Sequence, residues 1–121
     1  MKYVLFLLAF SLSQSLTAQG NLQFNQVIVF TMDGSTPQPF TVPANKVWKI
    51  ESAGSGYYSS TVYMRDASAN ILALLYTSDA NYRVNLPYWL PSGFAGDFYR
   101  IGNIPSGPKS TVSIIEFNIV P

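Results

Sequence analysis

The chain has 121 residues, 48% of them hydrophobic and 11% charged, with no histidine, no cysteine and a formal net charge of +1. A balance this close to zero argues against a nucleic-acid partner, since duplex binding needs clustered Lys and Arg to neutralise phosphates, and against a protein held electrostatically on a membrane surface. Without imidazole or thiol, Ser-His-Asp and Cys-His nucleophiles and His- or Cys-ligated zinc are excluded too.

The first 19 residues read as a signal peptide. Lys2 supplies the positive end, Tyr3 to Phe10 the apolar segment, and Leu16-Thr17-Ala18-Gln19 the cleavage zone. The apolar run is far shorter than the roughly 20 residues of a spanning helix, so no transmembrane segment is expected in the mature chain. Removing Lys2 leaves six Lys and Arg against six Asp and Glu. Residues 20–121 are long enough for one domain with one core. An exported chain without cysteine must hold that core by packing alone, which favours a bacterial source over a small secreted eukaryotic one.

Along the mature chain, Leu22 to Met32 places Leu22, Phe24, Ile28, Phe30 and Met32 on one parity, the period-2 pattern of a half-buried strand. Turn chemistry at residues 33–39 ends it. Phe40-Thr41-Val42 is a short strand stopped by Pro43, and residues 47–53 form the next, with Trp48 and Ile50 on one face and Lys49 and Glu51 on the other. Gly54-Ser55-Gly56 breaks the pattern. Residues 61–65 form a further strand, and Ile71 to Tyr76, continuously apolar, reads as a strand buried on both faces. Residues 82–86 alternate again. Residues 87–108 are rich in Gly and Pro around a short strand at 97–101. The β-branched run 111–120, free of Gly and Pro, is the strongest strand and belongs at the centre of a sheet. Seven or eight antiparallel strands without an amphipathic helix predict an all-β fold, a single β-sandwich or jelly-roll-like domain.

The chemistry left is that of carboxylates. A glycosidase needs two of them across one sugar, and Glu51 and Glu116 are the candidates lying in strands. Glu116 shares its face with Val112, Ile114, Asn118 and Val120, so the expected role is structural, either a pairing with Lys49, Arg65 or Arg100 or a place where the sheet face is only half covered, and the domain is expected not to be an enzyme. Asp33, Asp66, Asp79 and Asp97 stand singly beside turn residues, without the spacing of a calcium loop. No metal and no cofactor are expected.

The aromatics are the remaining signal. Seven of eight tyrosines fall between residues 57 and 99, together with Trp89. Trp48, Tyr63 and Phe117 are expected in the core. Adjacent aromatics in extended segments point to opposite sides, so the pairs Tyr57-Tyr58 and Tyr88-Trp89 each leave one ring outside; these four are the candidate binding residues. The stretch "LPYWLPSG" at 86–93 sharpens the question, because Trp89 between two prolines is either an exposed platform or a plug.

The stretches "FTVPANKVWKIESAG" and "STVSIIEFNIVP", with "LPYWLPSG" between them, resemble short exported bacterial β-sandwich proteins of unknown function. The resemblance implies export and the sandwich, and no activity. Two readings follow from the residues. One is a structural or interaction module at the cell surface or outside the cell, or in the periplasm, that self-associates as a homo-oligomer or packs against another exported protein. The other is a carbohydrate-binding module stacking sugar rings on Trp89, Tyr88, Tyr58 and Tyr57.

Overall fold

A computed structural model describes residues 21–56, 59–102 and 109–121. The expected leader, residues 1–19, lies outside the described residues, as do Tyr57 and Tyr58. Among the described residues eight strands form: β1 (Asn21–Met32), β2 (Gln38–Thr41), β3 (Lys46–Ser55), β4 (Thr61–Asp66), β5 (Ile71–Thr77), β6 (Tyr88–Leu90), β7 (Ala95–Ile101) and β8 (Ser110–Val120). They pair antiparallel throughout, in two sheets of order β1-β8-β3-β6 and β2-β7-β4-β5. Two four-stranded sheets in this order are the jelly-roll form of the β-sandwich.

The core forms where the inner parities of the two sheets meet. Met32, Trp48, Ile50, Val112 and Ile114 come from one sheet, and Phe40, Val62, Met64, Leu75 and Phe98 from the other. Rings join the layers. Phe40 stacks on Phe98 at 4.5 Å between centroids, and Phe30 meets Phe98 edge-on at 5.1 Å. In a domain without disulfides, such large aromatic contacts supply the cohesion between the sheets. β8 takes the interior position its β-branched sequence predicts, with β1 on one side and β3 on the other.

Four sequence expectations need correction. β3 does not stop before Gly54, since Gly54 and Ser55 continue the ladder opposite Thr111 and Ser110 on the long β8. β5 is not buried on both faces; it is an edge strand, with Ala73 and Leu75 facing the core and Ile71 and Leu72 exposed. Residues 82–86 are not a strand. Asn85 instead bonds the side of β5, its N–H donating to the Leu74 carbonyl at 2.8 Å and its Oδ1 accepting from the Leu74 N–H at 3.2 Å. Finally, Tyr63 and Phe117 are only partly buried and lie on the outer faces of their sheets, because their inner-facing neighbours Val62 and Met64, or Ile114 and Glu116, occupy the core parity.

Candidate functional site

The inner side of the β1-β8-β3-β6 sheet centres on Glu116, which is 3% exposed. Its Oε2 accepts from Trp48 Nε1 at 2.7 Å, and its Oε1 from Asn25 Nδ2 at 2.6 Å and Gln26 Nε2 at 3.0 Å. A bulge in β1 explains the two amides: the β1–β8 register shifts between Phe24 and Gln26, so two consecutive residues reach one carboxylate. Burial pushes the Glu116 carboxyl up, but the three N–H donors and the nearby Lys46 ammonium outweigh it and hold the carboxyl below the ordinary glutamate value. The partners expected from sequence are engaged otherwise. Lys49 pairs with Glu51 at 2.7 Å, and Arg65 makes a two-pronged bond to Asp97, both arms at 2.8 Å. Arg100 donates to Ser110 Oγ at 3.1 Å.

Glu51 and Glu116 lie on opposite faces of the sheet. Glu51 points outward with Lys49, while Glu116 is enclosed among Trp48, Asn25 and Gln26. They therefore cannot flank one glycosidic bond. Among the described residues no group of three or more His, Cys, Asp or Glu could hold a metal ion. Asp66 and Asp79 serve their turns: Asp66 accepts from the Ser68 and Asn70 amides, and Asp79 from the Asn81 amide.

The outer side of the same sheet has a different composition. The bulge flips the parity of β1, so Leu22 and Phe24 point outward before it and Val27 and Val29 after it, opposite Ile119, Phe117, Ile115 and Ser113 of β8. Val47 and Lys49 continue the row on β3, and Trp89 closes it on β6. The exposures are high: 60% for Phe24, 59% for Val27, 56% for Val29 and 48% for Trp89. Exposed apolar residues scattered singly are ordinary, whereas a contiguous row crossing all four strands is more than a soluble domain usually leaves in water.

Trp89 is thus a platform and not a core plug. Its ring stacks on Phe117 at 5.7 Å with planes 28° apart, and the Lys49 ammonium lies 5.8 Å from its centre. Pro87 and Pro91 keep β6 to three residues, and its pairing with Trp48, Lys49 and Ile50 turns alternate side chains outward. Tyr88 points the other way and packs partly buried against the core. Of the four binding residues expected from sequence, Trp89 alone is seen on the outer face; Tyr57 and Tyr58 fall outside the described residues. The sequence reading missed Phe24, Val27, Val29 and Phe117. A signal was present, since the unbroken apolar run Val27-Ile28-Val29-Phe30 leaves no polar face, but the bulge that redirects Phe24 was not visible.

The chain matches no protein-family model and no curated sequence.

Proposed function

We propose that the domain is a non-catalytic, exported structural or interaction module that associates with copies of itself through the outer face of the β1-β8-β3-β6 sheet, as part of a surface or extracellular assembly. The observation that carries this reading is the apolar row from Leu22 and Phe24 through Phe117 and Ile115 to Trp89. Its content is aliphatic as much as aromatic, and its few polar groups are the hydroxyls of Ser52, Ser113, Thr31 and Thr111 and the mutually paired Lys49 and Glu51. A sugar site needs hydrogen-bonding groups to fix hydroxyls beside a ring, whereas a protein contact is served by apolar area. The non-catalytic part rests on the missing His and Cys and on Glu116 being consumed by three donors.

The test is sedimentation velocity of the protein expressed from its full sequence, from low micromolar to millimolar concentration, with tryptophan emission recorded on the same samples. Growth of an oligomer with a blue shift that Trp89→Phe removes supports the reading. A monomer with unchanged emission over the whole range overturns it. Carbohydrate binding is the second reading, favoured by the open ring of Trp89; glycan-array binding abolished by Trp89→Ala would put it first.

A further inference from the structure

A sandwich of two open sheets has four edge strands, and an unprotected edge offers a row of free backbone N–H and C=O groups to any other strand. Three of the four edges here are blunted. β2 has four residues with Pro39 among them and Pro37 and Pro43 beside it. β6 has three residues between Pro87 and Pro91. β5 is covered where Asn85 exchanges bonds with both backbone groups of Leu74. The fourth edge, β1, is 12 residues long and contains no charge, no proline and no glycine. Among the described residues its one protective device is the bulge at Asn25 and Gln26, which leaves Gln26–Met32 in unbroken register opposite Glu116–Ser110.

We infer that the Gln26–Met32 edge of β1 pairs antiparallel with the same segment of a second copy about a two-fold axis, joining two four-stranded sheets into one of eight strands. This rests on the self-association proposed above and adds a second contact to it, through the strand edge, which leaves the joined outer faces free for that association. A second copy suits the segment because a two-fold pairing sets each part of the strand against its own sequence, so that any charge on it would meet a like charge nearby. This stretch carries none. Centred on the middle of the unbroken segment, the pairing sets Val29 against Val29 of the second copy, Val27 against Thr31, and Ile28 against Phe30. The two-fold keeps both outer faces on the same side, so Val27 and Val29, which have an apolar neighbour strand on one side only, acquire one on the other. The two outer faces merge into one apolar surface twice as wide.

The chain has no cysteine of its own, so single introduced cysteines report proximity without background. Cysteine would be placed in turn at Phe24, Val27, Val29, Thr31 and Trp89 of the protein expressed from its full sequence, all exposed positions, and disulfide-linked dimer measured under mild oxidation. The edge pairing requires one sharp maximum, at Val29→Cys, because only residues at the two-fold meet their own copies within bonding distance. Val29→Lys, as a second variant, should weaken association about tenfold or more by placing two ammonium groups at the axis, while circular dichroism stays that of the parent. Oligomers that cross-link at Trp89 without that maximum at Val29, or equally along the whole row, would overturn the edge pairing and keep face-to-face association. A protein that stays monomeric and cross-links nowhere would overturn both.

Discussion

Trp48 donates its indole N–H to Glu116 Oε2 at 2.7 Å, so the largest core ring of β3 and the buried carboxylate of β8 form one unit. Asn25 and Gln26 attach β1 to the same carboxylate. Glu116→Gln keeps the volume but replaces one acceptor oxygen by a second donor, which must face either the indole or the two amides. Bonds to a charged acceptor contribute about 1.5–3 kcal/mol each when broken against a buried donor, so a loss of about 2 kcal/mol is expected. Urea unfolding with an unchanged slope would measure it. A loss below about 0.5 kcal/mol would mean that the cluster does not hold the three strands together.

The same unit sets a pH dependence. The Glu116 carboxyl lies below its ordinary value in the folded chain, and the unfolded chain titrates near pH 4.3. A depressed folded value contributes stability that is complete above the unfolded value and is lost as the pH falls through the folded one. Between about pH 6 and pH 3 the stability gap between the parent and Glu116→Gln should therefore narrow. A gap constant with pH would show that the carboxylate is not the favoured form in the fold.

The fold was legible because its rules are local. Local patterns placed most strands close to where they lie, though the alternation at 82–86 gave a strand that does not form and the three residues of β6, between prolines, gave none; β8 sits inside its sheet because β-branched residues pack on both sides. The parts missed depend on pairing between distant segments. The bulge that turns Phe24 outward exists only against Phe117 and Glu116, some 90 residues away, and Glu116 finds Trp48 through a register that no local pattern encodes. Trp89 was legible as one of a pair of alternating aromatics, but not which ring would face out, since that is decided by the pairing of Leu90 with Trp48.

The two tryptophans should separate cleanly by mutation. Trp48 is buried, meets Phe30 at 6.0 Å and holds Glu116, so Trp48→Ala should cost about 3–5 kcal/mol. Trp89 leaves half of its surface in water and contacts Phe117 and Lys49 on one side. Trp89→Ala should cost the monomer about 1 kcal/mol or less, the scale of one aromatic pair. Thermal or urea unfolding at a dilution that keeps the protein monomeric distinguishes the two; equal losses would make Trp89 part of the fold's support and not a surface group.

Gly96 is needed for a close approach. It lies opposite Asp66 in the β4–β7 ladder, and a methyl group there would press into the Arg65 backbone carbonyl well inside contact distance, against main chain that cannot swing away. Gly96→Ala should force the ladder open beside the Arg65–Asp97 pair, at a cost of about 1–3 kcal/mol. Gly54, also in a strand, has open space where its Cβ would stand, and Gly54→Ala should change stability by no more than about 0.5 kcal/mol. Melting curves of the two variants give the comparison, and a Gly96→Ala protein as stable as the parent would show that β4 and β7 can separate locally without loss.

Asn85 makes β5 a closed edge, and its removal should be felt there alone. The side-chain Oδ1 accepts the Leu74 N–H, while the Asn85 backbone N–H reaches the Leu74 carbonyl. Asn85→Ala deletes the first bond and loosens the second, with an expected cost of about 1 kcal/mol. Hydrogen exchange locates the effect: the Leu74 amide should exchange about fivefold faster or more, following that loss, while the amides of β8 keep their protection. The variant also exposes an apolar strand, Ile71 to Tyr76, whose edge lacks charge and proline, so it should aggregate on storage where the parent does not. Unchanged exchange at Leu74 together with unchanged solubility would show that β5 needs no cover, and the contrast drawn between β5 and the open edge of β1 would lose its basis.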